Sequence, residues 1–541
     1  MNTPIKIIDL FSGPGGLGEG FSAFKAGKMN PFKIAISIEK EASAHRTLTL
    51  RSFFRQFNSG DAPEEYYAFM RGELGGAPED ELYRVPSLQD AVKQAKREAQ
   101  QLTLGETAPQ TVYKKIRESL NNEDCILIGG PPCQAYSLVG RARNYGAKDK
   151  IYSAQDDHRN FLYKEYLIII AKFQPLVFVM ENVKGMLSAK VDGTAIFPAI
   201  MNDLKDPVKA SSKRPDALRD THTYKIFSFV PDTGELGLFN QHGGPVCHDG
   251  LSPKDFVIKS EMYGVPQARH RVILLGIRAD VAENLNNLQL LKQHSTKVDV
   301  QSVISDLPEL RSKLSKTKDT LEAWRSTIKN FPETEAASLR NRKDFDQNVI
   351  ARFFGNLKDI GNSPEGTGME KGLKRKNLSK TLPRELAKWY QDDRLGKYIT
   401  NHESRGHIAG DLHRYMYYST HAKLLNKCPN SLTLPSELWP NHKNFTSGKF
   451  ADRFRVQMSH RPGTTVTSHI SKDGHYFIHY DPLQCRSLTV REAARIQTFP
   501  DNYHFVGNRT EQYVQVGNAV PPYLACQIAE TVFKILRSRN S

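Results

Sequence analysis

Apolar runs of strand length recur through the first half of this chain, at residues 5–11, 34–39, 125–129 and 176–183, and stretches with helical spacing such as 161–173 lie between them. Strands alternating with helices predict the α/β class, with a largely parallel sheet joined by crossover helices. Residues 269–277, rich in Val, Ile and Leu, add a further strand. Residues 62–123 are charged, carry two expected helices at 88–102 and 111–120, and read as an insertion. From about Asp280 the sequence turns polar and irregular, with basic residues that include Lys371, Lys374, Arg375, Lys376 and Lys380, so a second domain is expected there. Helical periodicity returns at 488–496 and 523–536.

The 541 residues, 39% of them hydrophobic, suffice for two or more buried cores. No apolar run reaches the roughly 18 residues of a membrane span, and residues 1–20 lack the layout of a signal peptide, so a cytoplasmic protein with no membrane partner is expected. Six scattered cysteines without a C-x-x-C pair argue against a disulfide framework and against zinc. No metal is expected, and Cys133 is left as a free thiol in a reducing compartment. Lys and Arg number 75 against 59 Asp and Glu, a formal charge of +16. That balance fits a protein that neutralises phosphates without by itself selecting nucleic acid.

The first run turns through Asp9-Leu-Phe-Ser-Gly13-Pro-Gly15-Gly16-Leu-Gly18 into a helix, and Glu39 ends the next strand. Glycines at G-x-G-x-x-G spacing let a backbone approach a cofactor, and a carboxylate about 20 residues on accepts from ribose hydroxyls. The spacing leaves a nicotinamide dinucleotide and S-adenosylmethionine both open, with a bare tight turn as the bland reading. Phe11 favours S-adenosylmethionine, because its ring can lie against adenine or the sulfonium where a dinucleotide needs room for pyrophosphate. Asp61, in Ser59-Gly60-Asp61, is either an acceptor for the adenine amino group or a solvated turn residue.

The segment Gly129-Gly-Pro-Pro-Cys133-Gln134 delivers a thiol beyond the third run. A lone cysteine there is most often a small buried hydrophobe. Two glycines and two prolines, however, fix the backbone in a way that packing does not require. Carbon 5 of cytosine is a poor nucleophile, and a thiolate added at carbon 6 turns the ring into an enamine that can attack a methyl sulfonium. A thiol with a pKa near 8.5 would have to lose its proton as the base docks. Met180-Glu181-Asn182-Val183 brings a carboxylate out of a buried run, where an acid is costly unless it has a task. Glu181 is a candidate to bind or protonate ring nitrogen 3 and Asn182 to hold the loop; a helix-capping acid is the alternative. In Gln267-Ala-Arg269-His-Arg271, alternate residues of an extended segment share a face. Arg269 and Arg271 would then orient Glu181 or grip the cytosine carbonyl and a phosphate, or else coat a solvated edge.

In order along the chain, DLFSGPGG, GGPPCQ, MENV, QARHR, then Arg486-Ser-Leu-Thr-Val-Arg-Glu-Ala-Ala-Arg-Ile-Gln-Thr-Phe-Pro-Asp501 and Gln515-Val-Gly-Asn-Ala-Val-Pro-Pro522, resemble the motifs of the DNA cytosine-5 methyltransferases, the bacterial C5-cytosine DNA methylases. The middle of the chain matches nothing specific. The resemblance implies a Rossmann-like S-adenosylmethionine-dependent methyltransferase fold with a second, smaller, irregular target-recognition domain. Its divisions would be a catalytic domain at 1–284 interrupted at 62–123, a recognition domain at 285–485, and a segment at 486–541 that organises the recognition domain and returns a helix to the catalytic one.

By the same resemblance Cys133 is the nucleophile, Glu181 the acid, Asn182 a loop anchor, and Arg269 and Arg271 the supporting arginines. Phe11, Gly13, Gly15, Gly16, Glu39, Asp61, Pro131, Leu162, Asn518 and Val520 would line the methyl-donor pocket. Residues 134–143 resemble a loop that closes over DNA, with Gln134, Ser137, Arg141 and Arg143 as its contacts. The expected reaction transfers a methyl group from S-adenosylmethionine to carbon 5 of a specific cytosine in duplex DNA, with the base flipped out of the stack. The expected setting is the prokaryotic cytoplasm, at the nucleoid, in restriction-modification or phage defence, as a monomer on double-stranded DNA with any cognate nuclease or defence protein encoded separately. A tRNA-directed relative would carry a Cys-Phe-Thr tripeptide, which this sequence lacks. A catalytically silent DNA-binding module would have lost Cys133 or Glu181, and an NAD dehydrogenase needs neither Pro-Cys-Gln nor a basic recognition region. The polar cluster Asn401-His-Glu403-Ser-Arg405 has no assigned role.

Overall fold

The computed structural model describes residues 3–57, 60–132, 158–191, 194–211, 221–230, 251–283, 285, 290–370, 372–430, 433–441 and 454–538. The chain divides into two compact units, one of Met1–Asn58, Val85–Thr296 and Ala519–Ser541, the other of Ser59–Arg84 and Lys297–Asn518.

In the first unit eight strands form one sheet: β1 (Ile5–Leu10), β2 (Phe32–Glu39), β3 (Ala99–Gln101), β4 (Cys125–Gly129), β5 (Val177–Val183), β6 (Tyr224–Phe227), β7 (Val257–Lys259) and β8 (His270–Arg278). Their order is β3-β2-β1-β4-β5-β8-β6, with β7 also pairing β8. Strands β1 to β5 are parallel, and β8 runs antiparallel to β5, β6 and β7. The unbroken apolar sequence of β4 and of the first half of β5 follows from burial on both faces. Alternate residues enter two cores: Ile7, Ile126, Ile128 and Val179 join one with the helix Pro522–Ser538, whereas Ile8, Leu127 and Phe178 join the other with Pro109–Leu120 and His158–Phe173. The helix Pro522–Ser538 lies along the helix Gly16–Ala23, which brings the far end of the chain beside the first glycine turn.

Residues 62–123 are not one insertion. The part up to Arg84 belongs to the second unit. The remainder builds the sheet itself, since β3 pairs Ala99–Gln101 with Ser37–Glu39 and the helix Pro109–Leu120 buries Val112, Tyr113, Ile116 and Leu120 in the core. The charges that mark this stretch in the sequence sit on solvent faces, as Lys93, Lys96 and Arg97 do opposite buried Val92 and Ala95.

The second unit is more helical than its irregular sequence suggests. Helices Leu321–Lys329, Gln347–Lys358 and Ala409–Leu425 close on Trp324, Phe353, Tyr415 and Tyr418. Its polar spine is the helix Val490–Ile496, opened by a capping box between Thr489 and Glu492. Arg486 reaches both Glu492 oxygens at 2.7 Å, Arg495 pairs with Asp306 and Asp501, and Arg491 donates to the carbonyls of Thr400, Pro500 and Tyr503. Such buried cations persist only because each has a partner. His402 locks the cap: its Nδ1 lies 2.9 Å from the Thr489 hydroxyl and its Nε2 2.8 Å from the Pro308 carbonyl. The Asn401–Arg405 cluster is thus in part a fastening for this helix.

Candidate active site

The strand order reverses between β1 and β4, and in open α/β sheets ligands bind beyond the carboxyl ends of the strands at such a point. Leu10 is in register with Gly129, so the turn after β1 and the Gly130-Pro131-Pro132 loop after β4 leave the sheet side by side.

On the β1 side, Phe11 is held at φ 55, a left-handed conformation that costs a non-glycine residue energy and that Gly13 shares at φ 56. The Gly13 N–H donates to Glu39 Oε2 and the Glu41 N–H to Oε1, each at 2.8 Å. Burial raises the Glu39 carboxyl pKa, and these donors oppose the rise. Each oxygen keeps lone-pair capacity for a further hydroxyl. At Gly16 a Cβ would collide with the Val520 carbonyl, so only glycine admits the C-terminal segment here. Phe11 and Leu162, both half-buried, pack at the margin of the same core, and Pro131 is buried.

On the β4–β5 side, Glu181 faces Ile273 of β8 with Arg271 diagonal to it, and Arg271 Nε lies 2.9 Å from Glu181 Oε1. The two side chains are 15% and 14% exposed, enough shielding for a charge-assisted bond to hold the carboxylate in one orientation. A Cβ on Gly130 would sit 2.9 Å from Glu181 Oε2, so a side chain there would push the carboxylate aside. Asn182 Nδ2 donates to the Pro131 carbonyl at 3.2 Å, and its Oδ1 accepts from the Val183 N–H at 2.8 Å. Arg269 is buried, and burial followed by the adjacent Arg271 pushes its pKa well below the usual arginine range while Glu181 opposes.

Gln267, Arg269 and Arg271 do not share one extended face. The Arg269 N–H donates to the Gln267 carbonyl at 2.9 Å, a tight turn that breaks the alternation before β8 begins. Asp61 and Asn518 belong to the second unit, and each is exposed. Cys133, Gln134, Ser137, Arg141 and Arg143 lie outside the described residues. One residue went unassigned from sequence: Asp9 is 1% exposed, and neither carboxylate oxygen has a hydrogen-bond partner among the described residues. The Ser12 hydroxyl is taken by the Asp9 and Ile38 main-chain carbonyls. Burial raises the Asp9 pKa to about 7 against the pull of Arg55. Its signal is the one that exposes Glu181, an acid inside an apolar strand.

Among the described residues no group of three or more His, Cys, Asp or Glu could hold a metal, and no helix is long and apolar enough to cross a membrane.

The sequence profile of the C-5 cytosine-specific DNA methylases matches residues 101–207 and 250–534. The type II methyltransferase M.Bpa9945I of Bacillus paralicheniformis is 32% identical over 99% of this chain and 100% of its own length. The type II methyltransferase M.AgeI of Thalassovita gelatinovora is 28% identical over 77% of this chain and 86% of its own, and M.DdeI of Desulfomicrobium norvegicum 26% identical over 98% and 88%. These matches establish that the chain belongs to the C-5 cytosine-specific DNA methylase family and is a DNA (cytosine-5-)-methyltransferase.

Proposed function

We propose that the enzyme methylates one specific cytosine in duplex DNA through a covalent bond between Cys133 and carbon 6 of a base swung out of the helix. The observation that carries this reading is the Glu181–Arg271 pair, set against the Gly130-Pro131 loop that Asn182 anchors. Glu181 would protonate or hydrogen-bond ring nitrogen 3 as the Cys133 thiolate adds, and Arg271 would keep the carboxyl aimed at the ring. Once carbon 5 carries the methyl group, loss of its proton and expulsion of the Cys133 thiolate restore the aromatic ring.

S-Adenosylmethionine, when bound, supplies an electrophilic methyl group. The residues fit it: Glu39, held by two N–H donors, suits the ribose hydroxyls, the glycine turn suits close backbone approach, and Phe11 with Leu162 suits the adenine face. Gly15, Gly16, Pro131 and Val520, all of the first unit, would complete the pocket. The second unit would read the target, with its lysines and arginines on phosphates and a few side chains on base edges. Gln134, Ser137, Arg141 and Arg143 would reach the DNA backbone. Because the relatives above are type II methyltransferases, a separately encoded nuclease of the same specificity is the proposed companion.

The test is bisulfite or nanopore mapping of DNA from a methylation-free host that expresses the chain or its Cys133→Ala variant. One recurrent site methylated at carbon 5 only by the unaltered chain is the expected result. Methylation that survives in Cys133→Ala, or an unmodified genome beside methylated RNA, would overturn the reading.

A further inference from the structure

We propose that Glu19 and Arg51 are positioning residues for methyl-donor binding, because their buried ion pair sets the helix that follows the glycine turn against the elements that hold Glu39. The proposal rests on the reading that Glu39 accepts from the ribose hydroxyls of the donor.

The helices that leave the glycine turn and Glu39 are packed in different places within the first unit. The helix Gly16–Ala23 starts at the turn, where the Glu19 N–H donates to the Gly15 carbonyl at 2.8 Å, and Leu17 and Phe21 bury it in the core that it shares with Pro522–Ser538. Glu39 instead leads into the helix Ala42–Arg55, whose buried Leu48, Leu50 and Phe53 lie outside that core. Its other neighbour is β3, where Glu39 is in register with Gln101 and the Leu102 N–H donates to the Glu39 carbonyl at 3.1 Å.

Glu19 and Arg51 join the two helices. Arg51 Nε lies 2.7 Å from Glu19 Oε2 and Nη2 lies 2.5 Å from Oε1, a two-pronged contact between side chains that are 6% and 5% exposed. The Arg51 guanidinium also lies 4.2 Å from the centre of the Phe54 ring. Arg55, one turn on, extends the link: Nη1 is 3.8 Å from Glu19 Oε2, and Nη2 is 2.5 Å from Oε1 of Glu98, which ends the helix Gln89–Glu98 and runs straight into β3. Burial pushes the Glu19 carboxyl pKa up, but the charge and hydrogen bonds of Arg51 outweigh it and hold the group below the ordinary carboxylate range. A bidentate guanidinium–carboxylate contact fixes an angle as well as a distance. The path from Glu19 through Arg51, Arg55 and Glu98 to the strand beside Glu39 therefore frames the donor turn without touching the donor. A buried pair of this kind is often no more stabilising than apolar residues of equal volume, but apolar residues cannot impose its geometry.

The experiment measures, in the full chain, binding of S-adenosylhomocysteine and of its 2′,3′-dideoxy analogue, which lacks both ribose hydroxyls. The variants are Arg51→Met, Arg51→Lys, Glu19→Leu combined with Arg51→Met, and Glu39→Ala. Arg51→Met should weaken S-adenosylhomocysteine about tenfold, the scale of one hydrogen bond to a charged group, and narrow its advantage over the dideoxy ligand to match. Arg51→Lys should recover only part of the loss, because one ammonium cannot meet both carboxylate oxygens in the fixed geometry of a guanidinium. The double variant should regain the thermal midpoint that Arg51→Met loses, since it strands no buried carboxylate, yet keep the weakened ribose preference. In turnover its donor KM should be raised about tenfold, with kcat and the DNA KM within about twofold of the unaltered chain. A double variant that regains donor affinity together with stability, or an Arg51→Met variant with full ribose preference, would overturn the proposal and leave the pair a folding contact. Undiminished ribose preference in Glu39→Ala would instead overturn the Glu39 reading and the proposal with it.

Discussion

The side-chain amide of Asn182 donates to the carbonyl of Pro131 across 3.2 Å, which joins the end of β5 to the loop after β4. The Val183 N–H occupies the Asn182 oxygen, so the amide cannot turn over without losing a second bond. The backbone two residues before Cys133 is therefore set by the strand that carries Glu181. Asn182→Ala should lower kcat about tenfold, the scale of one buried hydrogen bond, and leave donor affinity unchanged. Asn182→Asp should do no better, because it keeps an acceptor where a donor is needed. Single-turnover methylation beside donor titration separates the outcomes, and an equal loss in both would move Asn182 into the donor site.

Glu181 and Arg271 make a second separable pair. Glu181→Gln keeps an acceptor for Arg271 but removes the acid, so kcat should fall on the order of 10²- to 10³-fold, as for general acids, with donor affinity within about twofold. Arg271→Ala should have a smaller effect on kcat, because it frees the carboxylate without deleting it. A change confined to donor affinity in Glu181→Gln would contradict the assigned role.

What could be read before the structure depended on which signals survive burial. Glu181 and Asn182 stand out because polar groups rarely interrupt a strand that is apolar on both faces. The turn after β1 stands out because Gly13 and Gly15 need left-handed backbone. Residues 59–84 gave no such signal, since the tyrosines that seat them in the second unit look the same as tyrosines on any surface. The helix Ala409–Leu425 hid for another reason. It is buried almost all round, and its His413 and Arg414 are satisfied by the carbonyls of Ile328 and Leu438, so no amphipathic stripe marks it. Arg269 misled through geometry, because a turn inside Gln267–Arg271 breaks the alternation that the spacing implies.

Asp9 offers a test of buried charge. Its folded pKa of about 7 exceeds the ordinary 3.8 because burial penalises the carboxylate, with Glu39 and Glu98 adding to the rise and Arg55 opposing it. A raised carboxyl pKa contributes stability at low pH that is lost as pH climbs from about 4 through about 7. Asp9→Asn should therefore gain stability relative to the unaltered chain as pH rises from 5 to 8, with a ceiling of about 3 kcal/mol over that interval. Thermal unfolding at the two pH values checks this, and a difference that does not vary with pH would mean that Asp9 does not titrate in this range.

The second unit should fail in the opposite direction, on acidification. His402 and His479 are buried, and burial lowers each pKa to about 4, with Arg486 opposing protonation and Glu492 favouring it at both sites. The Pro308 carbonyl requires a proton on His402 Nε2 while Nδ1 receives the Thr489 hydroxyl, and His479 Nδ1 accepts from the Asp481 N–H at 3.1 Å. Each ring is thus held neutral by a bond that a second proton would break. A lowered histidine pKa contributes stability that is present above about 6.5 and lost as pH falls toward 4, because the unfolded chain takes up protons that the folded one refuses. The loss is at most about 3 kcal/mol per ring. His402→Gln, which can still donate to Pro308, should reduce the steepness of the urea-midpoint decline between pH 6.5 and 4.5. Glu492, whose pKa is lowered by Arg486, also contributes acid sensitivity, so the comparison is of slopes between variants. An unchanged slope in His402→Gln would show that the cap at Thr489 does not depend on a neutral His402.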